Sequence, residues 1–320
     1  MNSSHLNLLQ RFIKALHKIV EIDILLPTIE SRIVQAHKSP DNHLQPIFII
    51  GAPRTGSTIL YEALISTYQV SYISNIAALF YRSPALCTWL TKNLARNRRF
   101  QGKSQFGYIR GLTSPSEAGR LFSYWFGEQS FNETPEIHNV STNYIRSTVS
   151  TISSIMGGPL VTKNLNNSFR LRAIHKAFPN AIYLYIKRDP LYTAQSLLIA
   201  RRKLFKNETH WFSVKPPGYE SMINKSQYDQ IAWQVKAVED LIENEIHSLK
   251  LQRALTIHYQ DFCADYTGTL KIISDHCNKY GLTLKTTKNT DKIVVRNGDL
   301  CILENREINL LKNSITKIYR

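Results

Sequence analysis

The chain has 320 residues, 43% of them hydrophobic and 20% charged, which is enough apolar material for a large core and too little charge for a disordered chain. With 13 Gly and 4 Cys it is neither collagen-like nor a disulfide scaffold. Forty Lys and Arg against 24 Asp and Glu give a formal charge of +16, a field that concentrates anions such as nucleic acid, acidic lipid or a phosphorylated small molecule.

The N-terminal MNSSHLNLLQRFIKAL has no basic segment followed by an apolar run and a small-residue cleavage site, so no secretory signal is read there. Residues 1–40 read as helical, with Leu8, Leu9, Phe12, Leu16 and Ile19 near the 3.6 period. They form an N-terminal helical extension over 1–45, ahead of a main unit over 46–320. PIFIIG, Pro46 to Gly51, is a short continuous apolar run of the kind that marks a buried parallel strand. A helix over Ser57 to Thr67 follows, with Ile59, Leu60, Ala63 and Leu64 on one face, and then QVSYIS as a second strand.

Farther on, PLVTKN (159–164) reads as a strand, Phe169, Leu171, Ile174 and Phe178 mark a helix, and AIYLYI (181–186) is another strand. Asp189 and Pro190 open the next helix as N-cap and first residue. A long amphipathic helix carries Ile231, Val235, Val238, Ile242, Ile246 and Leu249 before a strand at Leu255 to Tyr259. Residues 285–320 show a weak pattern, and no element is assigned there. Strands alternating with helices predict an α/β fold, a parallel sheet covered on both faces. No window approaches 18 consecutive apolar residues, so no spanning helix is expected. Cys87, Cys263, Cys277 and Cys301 lie far apart, without a CxxC pair. They read as free thiols of a reducing, cytoplasmic compartment, and no metal is implied.

Two stretches carry chemistry. GAPRTGST, Gly51 to Thr58, joins a buried strand to a helix with the GxxxxG spacing of a phosphate-binding P-loop. Backbone N–H groups and the helix N-terminus favour an anion there. Ser57 stands where an ATP or GTP hydrolase carries lysine, and Arg54 is the cation inside the loop. In the second stretch, IKRDPLYTAQS, Arg188 follows a strand at the sheet's C-terminal edge and Ser196 lies in the next helix. That edge is where doubly wound folds bind ligands, so one guanidinium and one hydroxyl there would suit a second phosphate. The plain alternatives are a glycine turn at the first stretch and a capping or ion-paired Arg188 at the second. The basic residues between Ala85 and Ser116 (Lys92, Arg96, Arg98, Arg99, Lys103, Arg110) and the ten between Lys163 and Lys206 form either a solvated face or an anion site.

Taken together, GAPRTGST resembles the 5′-phosphosulfate loop of sulfotransferases that use 3′-phosphoadenosine 5′-phosphosulfate (PAPS). Arg188 with Ser196 resembles their 3′-phosphate site. VTKNLNNSFRLRAIHKAFPNAIYLYIKRDP and IHYQDFCADYTGTL are similar to the same families, and the likeness covers residues 46–275. The arginine in the loop makes the chain look more like bacterial-type and protein-tyrosine sulfotransferases, relatives of the carbohydrate enzymes, than like cytosolic small-molecule enzymes.

The resemblance implies a P-loop-like α/β fold and in-line transfer of a sulfuryl group from PAPS to a hydroxyl, with 3′-phosphoadenosine 5′-phosphate (PAP) as product and no metal. It implies that Arg54, Thr55, Gly56, Ser57 and Thr58 bind the 5′-phosphosulfate, that Arg188 and Ser196 bind the 3′-phosphate, and that Arg54 and Lys163 meet the charge growing on the leaving oxygen. The acceptor it suggests is a carbohydrate or glycolipid hydroxyl. A membrane surface is a further anionic partner, and no specific nucleic acid is expected.

The general base is the least determined role. Leu165 stands where cytosolic enzymes place His, and SYISNIAALF lacks the acid of the tyrosyl-protein enzymes. Glu117 in TSPSEAGRLFSYWF is the candidate. Ser114-Pro115-Ser116-Glu117 reads equally as a capping box with Ser114 at the N-cap. His175 and His138 are weaker candidates. Arg201, Arg202 and Lys203 suit a helix C-terminus. Trp89, Trp125, Trp211 and Trp233 would stack on a ring or fill the core, and Arg296-Asn297-Gly298 faintly resembles a nucleotide-contact segment. A P-loop kinase, a basic nucleic-acid-binding protein and a nucleotide-binding pseudoenzyme remain as alternative readings.

Overall fold

The computed structural model describes residues 25–37, 44–96, 104–105, 108–109, 111–127, 140–205, 208, 210–287 and 299–320. Its centre is a parallel sheet made of β1 (Ile47–Ile50), β4 (Val161–Lys163), β5 (Ile182–Lys187) and β6 (Ala254–His258), in the order β4-β1-β5-β6. A separate antiparallel pair joins β2 (Ser104–Gln105) to β3 (Tyr108–Ile109). In the main sheet Phe48 lies opposite Thr162 on one side and Tyr183 on the other, and Leu184 lies opposite Leu255.

The apolar runs are continuous because both faces of the sheet are covered. Phe48, Ile50, Tyr183 and Tyr185 point into one core with Phe178, Leu197, Val235 and Ile242. Ile47, Ile49, Ile182, Leu184 and Ile186 point into a second with Leu60, Leu64, Phe262 and Ile273. Each such side chain contributes about 1.5–3 kcal/mol of burial free energy. Two helices far apart in sequence, Ser57–Thr67 and Tyr266–Lys279, supply much of the second core and cover the same face of the sheet.

Most expected elements are present. The helix after β1 spans Ser57–Thr67, the helix after Asp189 spans Pro190–Phe205, and the long amphipathic helix spans Gln227–Ser248. Asp189 caps as expected, its Oδ1 accepting from the Leu191 backbone N–H at 2.8 Å. The apolar pattern from Phe169 to Phe178 divides into a 3-10 turn, Leu165–Phe169, and a short helix, Leu171–Ala177.

QVSYIS is not a strand. The segment is extended and buried from Val70 to Ser74, but among the described residues it makes isolated bridges rather than a ladder, including Ser71 with Leu160 and Ser74 with Pro115. Of the N-terminal extension, the helix Leu25–Ala36 is described, and Leu8 to Ile19 lie outside the described residues. That helix packs on the helix Pro84–Arg96. The fully buried Glu30 accepts from the Ala85 and Leu86 backbone N–H groups at 3.0 and 2.7 Å. Burial pushes its carboxyl up to about 7.

The region after 285, where no element is assigned from sequence, contains a helix, Asn305–Ile318. It packs on the helices Gln227–Ser248 and Pro190–Phe205 through buried Ile308 and Leu311. Ser314 donates to Asp229 at 2.8 Å, and Glu307 pairs with Arg202. Among the described residues no helix is long and apolar enough to cross a membrane.

Candidate active site

Each strand of the main sheet delivers a residue to one cavity at its C-terminal end. Pro53, Arg54, Gly56, Ser57 and Thr58 follow β1, Lys163 ends β4, Arg188 follows β5 and Tyr259 follows β6. Glu117, Leu165, Phe212 and Ser213 complete the wall of a cavity of about 400 Å³. A parallel sheet aligns these strand ends, so residues far apart in sequence converge there.

The loop after β1 is shaped by its own atoms. Gly51 passes so close to β5 that a Cβ would lie 2.6 Å from the Ile186 carbonyl oxygen. Its backbone N–H donates to Ser168 Oγ at 3.2 Å. Thr55, fully buried, donates its hydroxyl to the Ala52 carbonyl at 2.8 Å. Gly56 sits at the N-cap of the helix Ser57–Thr67 with φ 92°, a left-handed conformation that favours glycine. A Cβ there would lie 2.3 Å from the Tyr259 ring. With no side chain at the N-cap, the first-turn N–H groups and the Ser57 and Thr58 hydroxyls border the cavity, which is an anion-binding arrangement.

Two cations adjoin this helix start. Arg54, itself at φ 69°, donates from Nε to Ser196 Oγ at 3.0 Å. Arg188 donates from Nη1 to the Arg54 carbonyl at 3.0 Å and lies over the Tyr259 ring at 4.6 Å. Burial, and then the neighbouring Arg188 cation, holds the Arg54 guanidinium below its ordinary value. Burial also pushes the Tyr259 phenol up to about 12, so it stays protonated beside the cations.

Across the cavity Lys163 pairs with Glu117. The lysine side chain is 4% exposed and the glutamate 34%, so the carboxylate forms the solvent-facing half of the pair. The capping box is overturned. The helix begins at Gly119, and Ala118 at its N-cap makes no side-chain cap bond. The Ser114 carbonyl instead accepts from Asn75 N–H, and Ser116 N–H donates to the Ile73 carbonyl, each at 2.8 Å. Those pairings hold the segment extended and turn Glu117 toward β4. Asn164 fixes it there by donating to the Glu117 carbonyl at 2.7 Å.

The structure therefore gathers Arg54, Gly56, Ser57, Thr58, Glu117, Lys163 and Arg188 around one volume. Thr55 and Ser196 are not among the residues that line it; Thr55 shapes the loop and Ser196 accepts from Arg54. His175 lies on the helix Leu171–Ala177, away from the cavity lining. His138 and Arg296-Asn297-Gly298 lie outside the described residues. Arg201 is not a solvated helix-end cation. It is fully buried, donating to Gln230 Oε1 at 2.7 Å. Trp125 is core, Trp211 and Trp233 pack on each other, and Trp89 is partly exposed; none lines the cavity.

Asn164, Ser168, Tyr259 and Asp299 were not singled out from sequence. Asn164 and Ser168 stood inside the similar segment VTKNLNNSFR, the signal that could have marked them. Asp299 pairs with Arg188. Among the described residues no group of three His, Cys, Asp or Glu side chains is placed to hold a metal ion.

A family model described as "Sulfotransferase family" matches residues 46–280. The fold is similar to that of a sulfotransferase from Mycobacterium avium, with a TM-score of 0.51 and 14% identity over 90% of this chain and 70% of that one. A sulfotransferase from Mycobacterium tuberculosis H37Rv gives a TM-score of 0.51 and 16% identity over 92% of this chain and 82% of that one. No curated protein matches significantly.

Proposed function

The chain belongs to the sulfotransferase family, and from that premise we propose that it moves a sulfuryl group from PAPS to a carbohydrate or glycolipid hydroxyl. The observation that carries the proposal is the single cavity into which Arg54, Ser57, Thr58, Lys163, Arg188 and Glu117 all open. It supplies cations and N–H donors for a doubly phosphorylated nucleotide on one side and a carboxylate on the other.

In this reading Arg54, the Thr55 to Thr58 backbone and the Ser57 and Thr58 hydroxyls hold the 5′-phosphosulfate. Arg188 takes the 3′-phosphate, with Ser196 fixing the neighbouring Arg54. The acceptor oxygen attacks sulfur, the bond from sulfur to the bridging oxygen breaks, and the hydroxyl proton passes to Glu117. A proton arriving on Glu117 cancels its charge and releases Lys163 from the pair. The ammonium can then follow the negative charge that grows on the leaving oxygen, where a preorganised donor is most effective. The acceptor class rests on the family resemblance. The net charge of +16 favours work at an anionic membrane surface.

The test is calorimetric titration with PAP beside ATP and Mg²⁺, on the natural chain and on Arg188→Ala. Micromolar or tighter PAP binding is expected, with little for ATP. Arg188→Ala should weaken PAP far more than adenosine 5′-phosphate (AMP), which lacks the 3′-phosphate. An equal loss for both ligands would remove Arg188 from the 3′-phosphate site, and a preference for ATP with Mg²⁺ would favour a kinase.

A further inference from the structure

The guanidinium of Arg188 is already engaged by an anion of the chain itself. Asp299 Oδ1 accepts from Arg188 Nε at 2.8 Å and lies 2.7 Å from Nη2. The two side chains are 8% and 7% exposed. Nη1 is turned to the Arg54 carbonyl and the guanidinium face to Tyr259. Asp299 therefore lies along the Nε–Nη2 edge, the fork with which arginine recognises carboxylate or phosphate.

The segment that delivers Asp299 is lightly held. Leu300 and Ile302 are 69% and 73% exposed, so their side chains bury little. One buried glutamine ties down the backbone: Gln195 Nε2 donates to the Leu300 carbonyl at 2.7 Å. Its Oε1 accepts from the Ile302 and Leu303 N–H groups at 2.8 and 3.3 Å. The helix Asn305–Ile318 then anchors the chain to the body of the protein. This strap crosses Arg188; Leu303 packs partly against the core at its far end, and at Asp299 the described contacts to Arg188 are polar ones that a stronger anion can exchange.

We propose that Asp299 is the resident anion of the Arg188 site, displaced when a phosphate of the nucleotide binds there. The inference rests on the assignment of Arg188 to the 3′-phosphate. A phosphate group carries more charge and more acceptor oxygens than the single carboxylate it replaces. A nucleotide without that phosphate leaves the Arg188–Asp299 pair intact. Asp299 thus sets a threshold at the Arg188 edge: it lowers the apparent affinity for a nucleotide that carries the 3′-phosphate by the fraction of molecules in which Arg188 is occupied, and it couples binding to release of residues 299–303.

The experiment titrates PAP and AMP into the natural chain, Asp299→Asn and Gln195→Ala, with hydrogen exchange followed at the Ile302 amide. Asp299→Asn should tighten PAP about tenfold, about 1.4 kcal/mol, while AMP changes by less than about twofold. Gln195→Ala, which loosens the strap but keeps the carboxylate, should tighten PAP by a smaller factor. PAP should speed exchange at Ile302 in the natural chain, and AMP should not. Weaker or unchanged PAP binding by Asp299→Asn, with normal binding by the natural chain, would make Asp299 an orienting partner of Arg188 and overturn the proposal. Equal tightening of PAP and AMP would reduce it to a general charge effect and overturn it too. If neither the natural chain nor Asp299→Asn binds PAP, the nucleotide assignment itself fails and takes this inference with it.

Discussion

The Lys163–Glu117 pair predicts an asymmetry that its exposures make quantitative. Lys163 is 4% exposed at its side chain and Glu117 34%. Lys163→Met replaces a buried ammonium by an apolar chain of similar length and leaves a carboxylate that water still reaches. A cost of about 0–1 kcal/mol is expected. Glu117→Gln leaves the ammonium buried beside a neutral amide. Removal of one partner from a buried pair costs about 3–5 kcal/mol, and the half-open partner here reduces that to about 2–3 kcal/mol. The more exposed residue is thus the one whose loss hurts folding more. Urea unfolding of both single variants and of the double variant measures this, with unchanged slopes required before midpoints are compared. The double variant should recover most of the loss caused by Glu117→Gln, a coupling of about 2 kcal/mol. Turnover should fall by roughly 10²-fold or more in Glu117→Gln even where the protein is fully folded. If Lys163→Met costs as much as Glu117→Gln, or if the double variant is simply additive, the buried ammonium is not the costly partner and the reasoning fails.

Gly56→Ala meets two penalties, about 1–2 kcal/mol for a left-handed alanine and a Cβ placed 2.3 Å from the Tyr259 ring. Thermal melting should show the loss, and PAP titration should show weaker binding; an unchanged variant would mean the loop does not need its left-handed turn. Glu62 is 3% exposed, and its Oε1 has no hydrogen-bond partner among the described residues. Burial raises its carboxyl from 4.5 to about 7. The folded protein then holds a proton that the unfolded chain gives up, so the stability contribution is complete below 4.5 and is lost as pH rises through about 7. Glu62→Gln should therefore be near neutral at about pH 4 and stabilise by up to about 3 kcal/mol at about pH 8, and a gain of equal size at both pH values would contradict the assignment.

Fold class was legible wherever one element's own chemistry decides its conformation. β1 reads from sequence because a strand covered on both faces must be apolar at every position, as Ile47, Phe48, Ile49 and Ile50 are. The helix after Asp189 reads because its cap and first proline are local. QVSYIS shows where this stops. From Val70 to Ser74 its residues are buried like those of a strand, but a ladder also needs a neighbour in register, and Ser71 makes an isolated bridge to Leu160. At Ser114-Pro115-Ser116-Glu117 a local capping pattern lost to distant partners. Once Asn75 and Ile73 had engaged the backbone of Ser114 and Ser116, no helix could start there. The helix Asn305–Ile318, unassigned from sequence, did carry a local signal: Ile308, Leu311 and Ile315 recur at helical spacing on the face that packs against the body.

The site divides along the same line. Gly51 to Thr58 is contiguous, so its spacing alone marked it as a candidate anion loop. The partners that tune it are 46, 111 and 142 residues apart, for Lys163 with Glu117, Arg188 with Asp299 and Arg54 with Ser196. They meet because each follows from the end of a strand or from a segment laid across those ends, a relation that exists only after the strands have been ordered β4-β1-β5-β6. Net charge could not supply it. A value of +16 describes the field that draws an anion toward the surface. Local occupancy is a separate matter, and Asp299 lies on one edge of the Arg188 guanidinium, 2.8 Å from Nε. Long-range attraction and local vacancy are separate quantities. The first draws anions of any kind toward a basic surface, while on the proposed reading the second admits to the Arg188 edge only a ligand whose phosphate can displace an acid already in place.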